Sequence, residues 1–220
     1  MRKLYAFFTQ LTLVIICANL VSCENNKSSE SQNSSAVEIS AGNEIDLGLP
    51  SGKLWASCNL GADSPEKYGD YYAWGEIEKK DSFPRKGYKY LGTLIGNNIS
   101  GTEYDVVSNV LKDDWVMPNQ HDFKELVDNC KREWVKYNGV NGYKLIGPNG
   151  NSIFLPATGF CDPLLCNQES IGFYWSSTDD NGFNAIALSL SDGKIAINKE
   201  LRYHGHAIRP IKEHKSSTTN

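Results

Sequence analysis

The C-terminal part of the chain alternates apolar and polar residues on either side of a clear turn. The dipeptide Asp192-Gly193 is typical of a two-residue β-hairpin turn. In the register that this turn fixes, apolar residues face one another in pairs: Leu190 with Ile195, and Leu188 with Ile197. Matched apolar pairs across a turn are what a half-buried antiparallel sheet requires. Residues 172–211 therefore predict a central sheet of three strands joined by two turns.

Two earlier segments have the apolar spacing of helices. The first is predicted over residues 103–112, from an apolar face made by Val106, Val107, Val110 and Leu111. The second begins after Asn119, a candidate N-cap, and Asp122 follows three residues later in the position of a capping box. Its apolar stripe consists of Phe123, Leu126, Val127 and Cys130. A stripe of this width is typical of a helix that lies on a sheet.

A second hairpin is predicted over residues 143–155, with its turn at Asn149-Gly150. This turn pairs Ile146 with Ile153 and Leu145 with Phe154. Because both faces of the hairpin are apolar, we expect it to lie inside the fold. Strands and helices in the first half, followed by a second half made almost entirely of strands, predict an α+β fold.

The N-terminus is typical of an exported lipoprotein. Arg2 and Lys3 precede an apolar stretch that polar residues interrupt, which makes it a poor membrane span and a good signal peptide. The sequence Leu20-Val21-Ser22-Cys23 resembles the bacterial lipobox, whose cysteine receives a diacylglyceryl group before cleavage. We therefore interpret residues 1–22 as a lipoprotein signal peptide and Cys23 as the lipidated residue. The alternative is an ordinary secreted protein with a cysteine at this position.

Composition divides the rest of the chain. Residues 23–43 are rich in serine and asparagine and contain few large aliphatic side chains, which is typical of a flexible tether, here lipidated at its first residue. Residues 44–213 have the length of a single domain with a core of its own. Residues 214–220 are predicted to be a disordered tail.

The net charge argues against a nucleic-acid partner. The chain carries −4 at pH 7, and removal of residues 1–22 takes away two basic residues and no acidic one, which leaves −6. Proteins that bind nucleic acids usually present a basic face. The partner that the sequence does predict is a membrane, reached through the lipid anchor. We expect the protein on the outer membrane, at the cell surface or on the periplasmic face.

Two groups of residues are candidates for ligand binding. Tyr72 and Trp74 belong to an aromatic cluster that could stack on a sugar, although such rings more commonly pack a core. Asp179, Asp180 and Asn181 form a polar loop that could hydrogen-bond to a polar ligand. Their oxygen atoms fall short of the six or more that a calcium ion requires. We therefore predict no bound cofactor.

Six blocks of sequence resemble, in order, the Fibrobacter succinogenes major paralogous domain, a family that is common among lipoproteins of gut bacteria and related to the C-type-lectin-like fold. The blocks are IDLGLPSGKLWASCNLGA, YGDYYAWGE, WVMPNQHDFKELVDNC, NGVNGYKLIGPNGNSIFLPATG, GFYWSST and RYHGHAIRPIK. The resemblance implies two helices beside antiparallel sheets, with long loops on one side. The chain departs from the family pattern at His204 and His206, where aromatic residues are usual, and in the insertion from Cys161 to Cys166.

The sequence contains no familiar catalytic motif, such as a nucleophile elbow, a P-loop or a dinucleotide fingerprint. His204 and His206 would share one side of a strand and could ligate a metal ion. A zinc site needs three or four ligands, and we find no acidic or cysteine spacing that completes this pair. Two surface or half-buried imidazoles are the favoured interpretation, so we predict neither a metal site nor an enzyme.

The cysteines suggest one local disulfide. Cys161 and Cys166 flank a loop that contains proline, in a compartment that permits disulfides. Their spacing is similar to that of the catalytic cysteines of formylglycine-generating enzymes, but the arginine and aromatic neighbours of those cysteines are lacking. We therefore favour a disulfide, or two idle thiols, over a redox site. Cys58 and Cys130 are expected to be buried neighbours.

These features favour a ligand-binding lipoprotein module whose ligand is a carbohydrate or a surface protein. The alternative is a structural or fimbria-associated subunit that binds assembly partners. A thiol oxidoreductase that uses Cys161 and Cys166 is the least favoured interpretation.

Overall fold

The computed structural model describes residues 42–111 and 113–212, which form an α+β fold. The described helices are α1 (Val106–Val110) and α2 (Gln120–Asn129). The described strands are β1 (Glu44–Asp46), β2 (Leu54–Ala56), β3 (Lys131–Tyr137), β4 (Val140–Ile146), β5 (Ser152–Pro156), β6 (Phe160–Cys161), β7 (Leu165–Cys166), β8 (Ile171–Asp179), β9 (Asn184–Ser191), β10 (Lys194–Leu201) and β11 (Ile211–Lys212).

These strands pair antiparallel in four sheets. Three sheets have three strands each, in the orders β1-β2-β11, β10-β9-β8 and β3-β4-β5, and β6 pairs with β7. Neither of the described helices is long and apolar enough to cross a membrane. The predicted signal peptide, Cys23, the tether up to residue 41 and the predicted tail lie outside the described residues.

The C-terminal hairpin has the predicted register. Leu190 pairs with Ile195 and Leu188 with Ile197, around the turn at Asp192-Gly193. Helix α2 lies against β8, β9 and β10. Phe123 of this helix is buried in the same cluster as Leu188 and Leu190. The apolar stripe of α2 therefore covers the central sheet, as its spacing predicts.

The capping box of α2 is confirmed. Asn119 Oδ1 accepts hydrogen bonds from the backbone N–H groups of His121 and Asp122, and Asp122 Oδ2 accepts one from Asn119 N at 2.7 Å. Helix α1 is shorter than predicted. Its N-cap is Asp105, whose carboxylate accepts from Val107 N at 2.8 Å, so the expected start at residue 103 is wrong.

The predicted register of the second hairpin is wrong by one residue. Leu145 pairs with Ile153, and Lys144 pairs with Phe154. The predicted two-residue turn would require an N–H donor from Pro148, which proline lacks. The chain instead forms a longer loop, which Gly147 N closes by donating to Asn151 O at 2.8 Å.

Residues 202–210, which we call the C-terminal segment, run between elements that are far apart in sequence. Trp74 N donates to Arg202 O at 2.8 Å, and His206 exchanges two backbone hydrogen bonds with Tyr72. Gly205 exchanges two more with Cys161. These bonds bring the C-terminal segment, the aromatic cluster around Tyr72 and the β6–β7 hairpin together.

Candidate functional site

Tyr72 and Trp74 are core residues. Their side chains are 1% and 0% exposed. Trp74 Nε1–H donates to Ser176 O at 2.8 Å, and the guanidinium of Arg202 lies 4.3 Å from the centre of the tryptophan ring. Because neither ring offers a face to solvent, the hypothesis that these two residues contact a ligand is wrong. The alternative of core packing is confirmed.

The polar groups of the 179–181 loop mainly hold the loop itself. The side chain of Asp179 is 4% exposed; its Oδ2 accepts from Gly182 N at 2.9 Å, and its Oδ1 lies 3.7 Å from Arg202 Nη1. Asn181 Oδ1 accepts from two backbone N–H groups of the same loop. Asp180 pairs with a surface lysine at 2.8 Å. These side chains therefore shape the surface more than they offer groups to a ligand.

A cluster of exposed apolar side chains lies beside this loop. We call Leu91, Leu94 and Phe183 the apolar patch; they are 43%, 70% and 54% exposed. The two loops that carry the patch interlock at their glycines. A Cβ atom on Gly182 would lie 3.2 Å from Leu94 Cδ2, and one on Gly92 would lie 3.6 Å from Phe183 Cε1. The absence of a side chain at Gly182 therefore lets Leu94 approach closely, whereas a Cβ atom at Gly92 would make an ordinary van der Waals contact.

Arg202 forms hydrogen bonds with both of these loops. Its Nη1 donates to Thr93 O at 2.9 Å and to Gly182 O at 2.6 Å, and the residue is 1% exposed. The two loops that carry the patch are therefore both hydrogen-bonded to one buried cation. A register shift between Trp175 and Asp179 interrupts the pairing of β8 with β9 just before this loop.

A hollow on another part of the surface is lined by tyrosine. Tyr68 and Tyr71 contribute to it together with Gln168, and its volume is about 490 Å³. Gln168 Nε2 donates to Tyr71 Oη at 3.2 Å, and Tyr71 Oη donates to Thr158 O at 2.5 Å. Burial raises the pKa of Tyr71, so its hydroxyl stays protonated at neutral pH. We call this depression, which combines tyrosine rings with amide and hydroxyl groups, the tyrosine hollow.

Glu200, His204 and His206 form a side-chain cluster. Each offers one potential ligand atom, and these atoms lie within 4.8 Å of one another. The sequence interpretation that no acidic residue completes the histidine pair is therefore wrong. After β10 ends, His204 N donates to Leu201 O at 2.9 Å, and this turn folds His204 back towards Glu200. Asp162, from the β6–β7 turn, places Oδ2 3.4 Å from His204 Nε2.

His206 is buried as a neutral imidazole. His206 is 0% exposed, and burial, with the neighbouring imidazole of His204 as a second cause, lowers its pKa to about 3. His206 Nδ1 lies 3.0 Å from Gly205 O. Because a carbonyl only accepts, we assign the proton to Nδ1, and Nε2 then carries a lone pair. Among the described residues this Nε2 has no hydrogen-bond partner.

Cys58 and Cys130 are both buried, as the sequence predicted, and both are free thiols. Cys130 belongs to the main apolar cluster, whereas Cys58 belongs to none of the three clusters. Burial raises the pKa of Cys130 to about 11, which makes it a poor nucleophile. In the β6–β7 hairpin, Cys161 pairs with Leu165 rather than with Cys166. The disulfide between Cys161 and Cys166 stays a prediction.

Comparison with known proteins adds no relative. No family model matches the chain, and neither a curated protein nor a solved structure matches it. The resemblance read from the six sequence blocks therefore stays a prediction. What the chain does must be argued from its own surfaces. Two of these, the apolar patch and the cluster of Glu200, His204 and His206, consist of residues that sequence patterns did not single out as a set.

Proposed function

We propose that the protein is a lipid-anchored, C-type-lectin-like module that binds a protein partner through the apolar patch. The observation that carries the proposal is the exposure of Leu91, Leu94 and Phe183 on two interlocked loops. Large apolar side chains that cluster on a surface commonly mark an interaction site. Since Arg202 holds both loops by hydrogen bonds, the patch is ordered before any partner arrives. Preorganisation of this kind reduces the entropy lost on binding.

The chemistry of the patch favours a protein over a glycan. Binding a sugar takes hydrogen bonds to its hydroxyl groups as well as ring stacking. Here Asp179 Oδ2 and Asn181 Oδ1 accept hydrogen bonds from the backbone of their own loop, and Asp179 Oδ1 is buried beside Arg202. The patch offers a phenyl ring and two leucines, and the surface ion pair Asp180–Lys199 joins the loop that carries Phe183 to β10. Apolar anchors surrounded by polar groups are typical of protein interfaces.

The C-type-lectin-like fold and the cellular location are parts of the same proposal. Two helices beside antiparallel sheets support the lectin-like architecture, as does the long segment 57–105, which among its described residues contains one 3-10 turn and no strand or α-helix. The lipobox at Cys23 supports anchoring in the outer membrane. From that location we infer a partner at the cell surface or on the periplasmic face. We propose binding without turnover, since the patch holds no nucleophile or general base.

Photo-crosslinking in the producing cells tests this proposal. A photoreactive phenylalanine analogue replaces Phe183 or Leu94, and in a control it replaces Leu164, which is 64% exposed on the β6–β7 turn. We expect discrete crosslinked products from the two patch positions and none from Leu164. Equal crosslinking from all three positions, or no product from the patch, would contradict the proposal. The identity of the product separates a fimbrial or other assembly subunit from a different surface protein.

The tyrosine hollow supports a second candidate, a carbohydrate ligand. Two half-buried tyrosine rings and Gln168 supply stacking faces and hydrogen-bonding groups in one depression. A glycan array probed with the purified protein tests this candidate. Retention of a glycan that is lost on Tyr68→Ala and kept on Phe183→Ser would establish it. The absence of any retained glycan, or retention that Tyr68→Ala leaves unchanged, would refute it.

A further inference from the structure

We propose that Glu200, His204 and His206 bind one divalent transition-metal ion of the zinc class, and that Asp162 orients His204 for this role. The proposal is independent of the binding function argued above. It rests on two separate observations: the convergence of three ligand atoms within 4.8 Å, and the buried Nε2 of His206 that lacks a hydrogen-bond partner among the described residues.

His206 is prepared as a ligand. Its Nδ1–H donates to Gly205 O, which fixes the tautomer and directs the Nε2 lone pair away from the backbone. Burying an acceptor without a donor is unfavourable, and a metal ion would use that lone pair. The ring cannot easily escape this position. It stacks on Phe173 with centroids 5.0 Å apart and packs against Trp175 at 4.2 Å.

His204 is held between two carboxylates. Its Nε2 lies 3.4 Å from Asp162 Oδ2, and its Nδ1 lies 3.8 Å from Glu200 Oε2. An Nε2–H directed at Asp162 leaves Nδ1 as the atom that faces the metal position. A carboxylate that orients a metal-binding histidine in this way is a recurrent feature of zinc sites. Neither ring nitrogen of His204 has a normal hydrogen bond among the described residues, so both are available for these roles.

The donor set decides the class of metal. Two imidazole nitrogens and one carboxylate suit zinc and related transition ions, whereas calcium and magnesium prefer oxygen ligands. With metal–ligand bonds of about 2.0–2.1 Å, tetrahedral ligand atoms lie roughly 3.4 Å apart. The ligand atoms of the present cluster lie within 4.8 Å of one another, so their separations need to shorten by up to about 1.4 Å. Glu200 is half-buried and has a flexible side chain, so a change in its side-chain conformation can supply much of this shortening.

Three protein ligands leave a fourth position, which water can fill. The ion would join the end of β10 to the C-terminal segment, and through Asp162 also to the β6–β7 turn. The competing explanation is that both histidines simply pack as aromatic rings, since His204 and His206 lie among Phe160, Phe173 and Trp175. That explanation predicts no metal, and predicts that phenylalanine replaces either histidine without consequence.

Zinc titration of the full-length protein distinguishes these explanations. The protein, purified in detergent and stripped with a chelator, is titrated with Zn²⁺ by calorimetry, and Co²⁺ is used to report the coordination geometry by its visible spectrum. We expect one ion per chain, a tetrahedral Co²⁺ spectrum and a higher Tm with Zn²⁺. His206→Phe keeps the ring packing but should lose the ion and the Zn²⁺-dependent rise in Tm. Glu200→Gln should lose stoichiometric binding as well.

Two further variants sharpen the test. Asp162→Asn should weaken Zn²⁺ binding by about 10–100-fold, as removal of an orienting carboxylate does elsewhere. His121→Ala changes an exposed histidine on α2 and should bind like the wild type. Absence of stoichiometric binding in the wild type would overturn the proposal. So would unchanged binding in His206→Phe or Glu200→Gln, or loss of the ion in His121→Ala.

Discussion

Replacing Arg202 with methionine should destabilise the protein strongly, because this buried cation has several partners at once. Its guanidinium donates to the carbonyl oxygens of Thr93 and Gly182, lies 4.3 Å from the centre of the Trp74 ring, and sits 3.7 Å from Asp179. Methionine has a similar length and fills most of the same space. The substitution therefore removes the charge and the donors while it creates little cavity.

The magnitude follows from these contacts. Two charge-assisted hydrogen bonds contribute about 1.5–3 kcal/mol each, and a desolvated cation–π contact contributes about 2 kcal/mol. Methionine avoids the desolvation of a buried guanidinium, so the sum of these values is an upper bound. Removing one partner from a buried pair costs about 3–5 kcal/mol, since the other charge is left alone. We expect the free energy of unfolding to fall by about 3–5 kcal/mol.

Urea unfolding followed by tryptophan fluorescence measures this change, read as a lower midpoint at a constant m-value. Lys199→Met is the matched control, because Lys199 also faces a carboxylate but is 65% exposed. We expect it to cost less than about 1 kcal/mol. Adding Asp179→Asn to Arg202→Met should recover part of the loss, because it removes the isolated charge. A loss for Arg202→Met no larger than that of Lys199→Met would refute the reasoning.

Three other predictions concern the anchor, the cysteines and the close packing of the C-terminal segment. Cys23→Ala should move the protein from the membrane fraction to the soluble fraction and abolish labelling with a palmitate analogue; normal labelling would contradict the lipoprotein prediction. The mature lipidated protein, unfolded without reductant, should show two reactive thiols per chain if Cys161 and Cys166 are bridged, and four would rule the bridge out. Gly205→Ala should destabilise the protein by about 1–3 kcal/mol, since its Cβ would lie 2.7 Å from the Phe83 ring. Denaturant unfolding checks this, and Phe83→Leu should offset part of the loss; an unchanged midpoint for Gly205→Ala would contradict the packing.

Local signals predicted the parts of the fold that local interactions determine. The Asp192-Gly193 turn fixed the register of β9 and β10, because a two-residue turn leaves few alternatives. The capping box of α2 was equally predictable, since its donors and acceptors lie within four residues. The predicted register of the second hairpin was wrong because of Pro148, whose missing N–H excludes the turn that Asn149-Gly150 alone would favour. Strand β3 was missed because it is an outer strand whose charged residues hide its alternation.

The candidate sites depend on contacts between distant residues, and sequence patterns carry little information about these. Nothing in the spacing of Leu94 and Phe183 indicates that their loops interlock. Glu200 and His204 are four residues apart, which on a continuous strand separates them by roughly 13 Å. The turn that follows Leu201 brings them together. Trp74 was ambiguous for a related reason, since an aromatic ring suits a binding surface and a core equally well until its burial is known.

The affinity of the crosslinked partner for patch variants tests the central claim most directly. Once that partner is identified and purified, its Kd is measured against the wild type, Phe183→Ser and Leu164→Ser, both of which replace an exposed apolar residue by serine. If Phe183 is an anchor of the interface, its loss should weaken binding by about 30-fold, the value expected for a residue that contributes roughly 2 kcal/mol. Leu164→Ser should bind like the wild type. An unchanged Kd for Phe183→Ser, or an equal loss in both variants, would contradict the claim that the apolar patch is the binding surface.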